Sequence, residues 1–94
     1  MAAVQRLGDP NSAGGLITSG DSSVRVNGRP IAVEETAVTP HQPCGRPGGQ
    51  SHCNAKTRAT VGSVKVNGKR VILSGSTDTC GHVRNGGSPD VRMG

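Results

Sequence analysis

Residues 22–33 read SSVRVNGRPIAV, and residues 62–73 read GSVKVNGKRVIL. In each, Val-x-Val leads into Asn-Gly, a basic residue and a second apolar run, and the two Asn-Gly pairs lie 67 − 27 = 40 positions apart. Asn-Gly between two runs of period-two alternation is a strong hairpin signal, because both turn residues must accept positive φ. The pattern predicts two hairpins of one design, turning at Asn27-Gly28 and Asn67-Gly68. A third beat, Val91-Arg92-Met93, starts the same unit and supplies only its first strand. Segments 15–20 and 81–86 are expected to pair with these hairpins as short strands. No helix longer than a turn is expected.

The composition agrees with strands and sets limits on the core. Ninety-four residues suit one domain, and none of them is Phe, Tyr or Trp, so no large ring anchors the interior. The aliphatic set is 11 Val, 3 Ile and 3 Leu, mostly β-branched and suited to a pleated surface. Fifteen Gly and six Pro alone would point to a flexible chain, but a flexible chain has no reason to repeat Val-x-Val-Asn-Gly.

The formal charge is +5, from 11 Lys and Arg against 6 Asp and Glu. The cations Arg25, Arg29, Arg58, Lys65, Lys69, Arg70, Arg84 and Arg92 are spread singly and read as a solvated surface. Without aromatic residues a single-strand nucleic-acid platform is missing, so no specific nucleic acid is expected. A small basic zinc-binding module for nucleic acid is the alternative reading. No transmembrane segment is expected, since no apolar run approaches roughly 18 residues. MAAVQRLGDPNSAGG (1–15) has no apolar h-region, so synthesis in the cytoplasm without a signal peptide is expected.

Between the first two hairpins lies TPHQPCGRPGGQSHCNAK (39–56), whose three Pro and three Gly forbid regular structure. It carries His41, Cys44, His52 and Cys53; the remaining Cys and His stand in Thr79-Cys80-Gly81-His82, before the third beat. If the hairpins are faces about a pseudo-threefold axis, these loops meet at one end of it. An odd count of three Cys points to metal or free thiols rather than a simple disulfide framework. No carboxylate falls inside the loop to act as a general base, so no enzyme is expected.

Taken in order, these pieces resemble the PAAR (Pro-Ala-Ala-Arg) repeat family. Pro30-Ile31-Ala32-Val33 and Arg70-Val71-Ile72-Leu73 fill the slot of the family tetrapeptide, the second without its Pro. Gly8-Asp9-Pro10-Asn11-Ser12 with Gly14-Gly15, and Thr79-Cys80-Gly81-His82, look like further family segments, so the likeness runs from about Leu7 to Gly94. The resemblance implies an all-β fold, a small pointed prism or cone with pseudo-threefold hairpin repeats and a metal-pinned apex. On this reading residues 1–94 form one domain, with repeats at about 14–38, 56–78 and 81–94 and a metal-binding loop at 39–55.

The implied role is that of a non-enzymatic, membrane-piercing tip in a contractile injection machine, a phage tail or type VI secretion apparatus. It would cap a trimeric β-helical spike, one tip per trimer, with possible contact to the target cell envelope. Assembly would be in a virion baseplate or secretion machine, followed by extracellular delivery. One chain must then imitate three, and its short third copy is completed by the trimer or by the chain's own first strand. The base is expected to involve apolar residues near Leu16, Ile17, Val61 and Ile72.

The resemblance also implies a ligand set of three His and one Cys, which falls here on His41, His52, Cys80 and His82. Zinc is the expected ion, with iron possible. Where some family members carry His near the early Gly-Gly, this chain has Ser12-Ala13. Cys44 and Cys53 are additional. They could join Cys80 and one His in a rival set, form a disulfide after export, or pack as small buried fillers. A narrow tip buries little apolar surface, and one structural zinc supplies an apparent ~10–16 kcal/mol of folding free energy.

Overall fold

A computed structural model describes residues 2–60 and 62–93. Strands are short. β1 is Ala2–Ala3, β2 Asp21–Val26, β3 Arg29–Ile31, β4 Lys65–Val66, β5 Lys69–Arg70 and β6 Arg92–Met93. The described residues contain no α-helix and a single 3-10 turn, Gln50–His52. The fold is all-β, and none of its helices is long and apolar enough to cross a membrane.

Both expected hairpins are present and share one register. Val26 faces Arg29 and Arg25 faces Pro30 in the first; Val66 faces Lys69 and Lys65 faces Arg70 in the second. Their turns have φ of 54° and 81° at Asn27-Gly28, and 51° and 83° at Asn67-Gly68. That double left-handed turn matches the twist of the flanking strands. Each Asn also reaches sideways. Asn27 Nδ2 donates to Asp90 at 2.9 Å, and Asn67 Nδ2 donates to Asp21 at 2.7 Å.

The third copy is closed by the chain's other end. β6 pairs antiparallel with β1, Met93 facing Ala2 and Arg92 facing Ala3. Gln5 N donates to Ile72 O, Ile72 N to Ala32 O, and Ala32 N to Gln5 O, each at 3.0 Å. This is a closed ring of three bonds in which Gln5, Ala32 and Ile72 hold equivalent places, all 0% exposed. The pattern repeats further along. Asn11 N to Gly15 O, Val38 N to Ala55 O, and Asp78 N to His82 O are each 2.9 Å. Ser12 N to Val83 O, Thr39 N to Leu16 O, and Thr79 N to Lys56 O close a second ring, again at 2.9 Å. The extents of 37 × 23 × 23 Å, with two equal short axes, suit one long pseudo-threefold axis.

A tight turn follows each central strand, with φ of 86° at Gly8, 65° at Glu35 and 93° at Gly75. Glu35 holds with a side chain a conformation that the other two copies give to glycine, at a cost on the order of 1 kcal/mol.

Val4, Ile31 and Val71, from the three copies, form the main core with Val26, Val33 and Leu73; Ala2, Val66, Val91 and Met93 pack against it. A second cluster joins Ile17, Ala32, Ala59 and Ile72. Two expectations change. Segments 15–20 and 81–86 pair chiefly with the turn-following segments, through Leu16–Pro10, Ile17–Val38, Val83–Thr77 and Asn11–Arg84 bridges. Closing three faces around an axis brings those segments closer than the hairpins next in sequence. Ile17 and Ile72 are interior and only Leu16 of the expected base set is exposed, while Val61 lies outside the described residues.

Candidate metal centre

Following the chain from the hairpin turns through the core leads to the second ring at Ser12, Thr39 and Thr79. Beyond it lie three loops of unequal length. The converging positions there carry Gly15, Ala55 and His82, two small residues and one ring. A Cβ on Gly15 would lie 2.5 Å from His41 Nδ1 and 2.8 Å from Val38 Cγ1, so glycine makes the room that His41 occupies.

His41, His52 and Cys80 come together, their donor atoms all within 4.8 Å of one another. His41 Nε2 stands 3.4 Å from His52 Nδ1 and 3.4 Å from Cys80 Sγ. A tetrahedron with metal–N bonds of ~2.0–2.1 Å and a metal–S bond of ~2.3 Å has edges of about 3.3–3.6 Å. The two measured separations fall in that range. His41 Nδ1 lies 2.8 Å from Thr39 O, which assigns its N–H to that carbonyl and leaves Nε2 as a lone-pair donor toward the cluster.

His82 lies beside both rings, its centroid 4.7 Å from that of His52 and 5.3 Å from that of His41. Its Nδ1 is 3.3 Å from Ser12 Oγ, and its Nε2 is buried with no hydrogen-bond partner. A buried imidazole nitrogen left unpaired is costly unless something else binds it. These donors, three imidazole nitrogens and a thiol, fit a borderline-soft divalent ion such as zinc. Burial pushes the His52 pKa below the ordinary histidine value, and the neighbouring His82 and His41 add to the effect. That keeps the ring neutral, the form that binds metal.

Cys44 and Cys53 are joined as a disulfide, and both are half-buried. Among the alternatives for these two, the rival thiolate ligand set and the buried-filler role are therefore set aside. Cys80 is the one free cysteine of the three.

Beneath the cluster lies a buried polar layer. Arg84 was expected to be solvated, yet it is 1% exposed. It is ion-paired with the buried Asp78, and its Nη1 donates to Asp9 O at 2.8 Å. Asn11 Nδ2 donates to Asp78 at 3.0 Å, while Asn11 Oδ1 accepts from Ala13 N at 2.9 Å and Gly15 N at 2.8 Å. This layer shapes the 12–15 loop against which His41 rests. The signal was positional: Asp78 and Arg84 flank the 79–82 segment that carries two of the candidate ligands.

Residues 7–83, more than three quarters of the chain, match the family described as PAAR motif. A search of curated proteins finds no match.

Proposed function

The chain belongs to the PAAR motif family, and from that premise we propose that it caps and sharpens a trimeric β-helical spike, one tip per trimer. Membership supports a spike-tip role in contractile injection systems generally. A phage tail and a type VI secretion apparatus are the two host machines the proposal covers. The observation that carries it is the closed hydrogen-bond ring of Gln5, Ile72 and Ala32, which gives a single chain three equivalent strands. A threefold partner presents three identical chain ends, and a monomer meets all three only by repeating itself. The role is mechanical, through shape and rigidity, with no reaction. The test is co-expression with a trimeric β-helical spike protein and native mass measurement. One tip per three spike chains is expected; a three-to-three complex, or none, overturns the proposal.

At the other end, His41, His52, Cys80 and His82 hold one zinc ion in this reading, with iron as the second choice. The unpaired Nε2 of His82 supports its place as fourth ligand. Zinc with four protein ligands supplies folding energy and leaves no position open for a substrate. Metal analysis of purified protein should find one ion per chain, lost in His52→Ala. Metal-free protein after growth with added zinc or iron would sink this part alone.

A further inference from the structure

We propose that the Cys44–Cys53 disulfide is the positioning clip of the metal centre, holding His41 and His52 at the spacing they need to meet Cys80. The inference rests on the metal-binding reading above. Cys53 directly follows His52, and Cys44 lies three residues after His41, so the bond closes a ten-residue ring, 44–53, that contains His52 and begins three residues after His41. Its Cα atoms are 5.0 Å apart. Backbone bonds close the same neck, Cys44 N to His41 O at 2.8 Å and His41 N to His52 O at 3.3 Å.

This loop lies outside the apolar core of the described residues: neither core cluster contains a residue from 39–54. Among the described residues, the backbone bonds of 42–53 stay inside the loop, as in Arg46 N to Pro43 O, Gly49 N to Arg46 O and Cys53 N to Gln50 O. His52 must nevertheless come to 3.4 Å from His41, which itself stands 3.4 Å from Cys80, a residue 39 positions further along the chain. A covalent ring removes loop freedom before any metal arrives, and removing it beforehand strengthens binding.

The clip also ties the centre to its redox surroundings. In a reducing cytoplasm the two cysteines are thiols. The Cys44 or Cys53 thiolate attacks a low-molecular-weight disulfide, forming a mixed disulfide and releasing one small thiol; the second protein thiolate then displaces the other. Two protein thiols lose two protons and two electrons, and the small disulfide is reduced to two thiols. The metal centre thus tightens on passage to an oxidising compartment.

Zinc affinity, measured by chelator competition, tests this on oxidised wild type and on the Cys44→Ser/Cys53→Ser variant, which has neither clip nor added thiols. Binding about tenfold weaker or more is expected in the variant. Cobalt bound in place of zinc should show a single-thiolate charge-transfer band in both, from Cys80. Equal zinc affinity overturns the clip while leaving the metal centre standing. No zinc binding by oxidised wild type overturns both. Amide exchange in metal-free wild type, before and after phosphine reduction, covers a variant that folds poorly. Faster exchange in 39–55 with the Ile31 and Ile72 amides unchanged supports the clip, and an unchanged loop refutes it.

Discussion

At the hairpin end, Val4, Ile31 and Val71 meet about the axis at 0%, 0% and 2% exposure; at the opposite end, the converging positions carry Gly15, Ala55 and His82. The first end has room for three branched side chains and is held by apolar contact. The second carries two small residues and one ring at those positions, and is held by hydrogen bonds and a disulfide beside a cluster of donors able to hold a metal. Both apolar clusters lie outside the 39–54 loop, so directional bonds take over from hydrophobic contact toward that end. Between the two lies the Arg84–Asp78–Asn11 layer, fully hydrogen-bonded and joined to both ends.

The sharpest break is at that joint. Arg84→Ala leaves buried Asp78 without its cation and should cost about 3–5 kcal/mol. In a chain of this size the unfolding midpoint should fall by roughly 15 °C or more. A drop of only a few degrees would show that the layer does not couple the ends. Next, Ile72→Ala empties a place in the central ring at a cost of about 3 kcal/mol. Calorimetry should show the lower midpoint while metal content at low temperature stays unchanged.

Metal removal should act on one end only. At free zinc a hundred times its dissociation constant, chelation should remove about 2.7 kcal/mol of apparent stability. Amide exchange should quicken in 39–55 and 79–82 and not at Ile31 or Val71. Equal quickening everywhere would dissolve the distinction between the ends. A smaller effect, about 1–2 kcal/mol, is expected for Asn67→Ala, which loses a left-handed turn residue and its bond to Asp21. Asn67→Gly should restore the turn and not that bond, so an intermediate midpoint separates the two contributions.

Acid should separate the ends by pH in metal-free protein. The lowered pKa of His52 means that its contribution is present above about pH 6.5 and fades as pH falls below it, because the unfolded chain binds the proton more readily. At the hairpin end, hydrogen bonds from the Ser23 and Asn67 side chains lower the pKa of Asp21, and those from Asn27 and Ser88 lower that of Asp90. Those contributions persist above about pH 3.8 and are lost only on further acidification. Resonances from 39–55 should therefore shift before those of the two turns. The reverse order would contradict the assignment of these groups.

The hairpins were readable because a turn with two positive φ values needs particular residues at fixed offsets, and Asn-Gly marks it locally. The gathering of His41 and His52 with Cys80 was readable through the family likeness, since spacing alone left several ligand sets open. The Cys44–Cys53 bond was one alternative among three, because pairing depends on how a 17-residue stretch with no periodic pattern, 39–55, closes on itself. Arg84 was misplaced for a related reason. A singly spaced arginine looks solvated until the fold sets Asp78, Asp9 O and Gly15 O around it, and none of those partners is implied by sequence separation.

By itself, the order of residues determined that short β-hairpins would form, where they would turn, and that imidazole and thiol groups would cluster in the loops between them. Those are properties of a few neighbouring residues. Only the tertiary structure decided that β1 completes the third copy, that Gln5, Ala32 and Ile72 hold equivalent places, and that a charged pair sits inside beneath the His/Cys cluster. Each of these depends on contacts between segments tens of residues apart, whose partners are chosen by the closing of three faces about one axis.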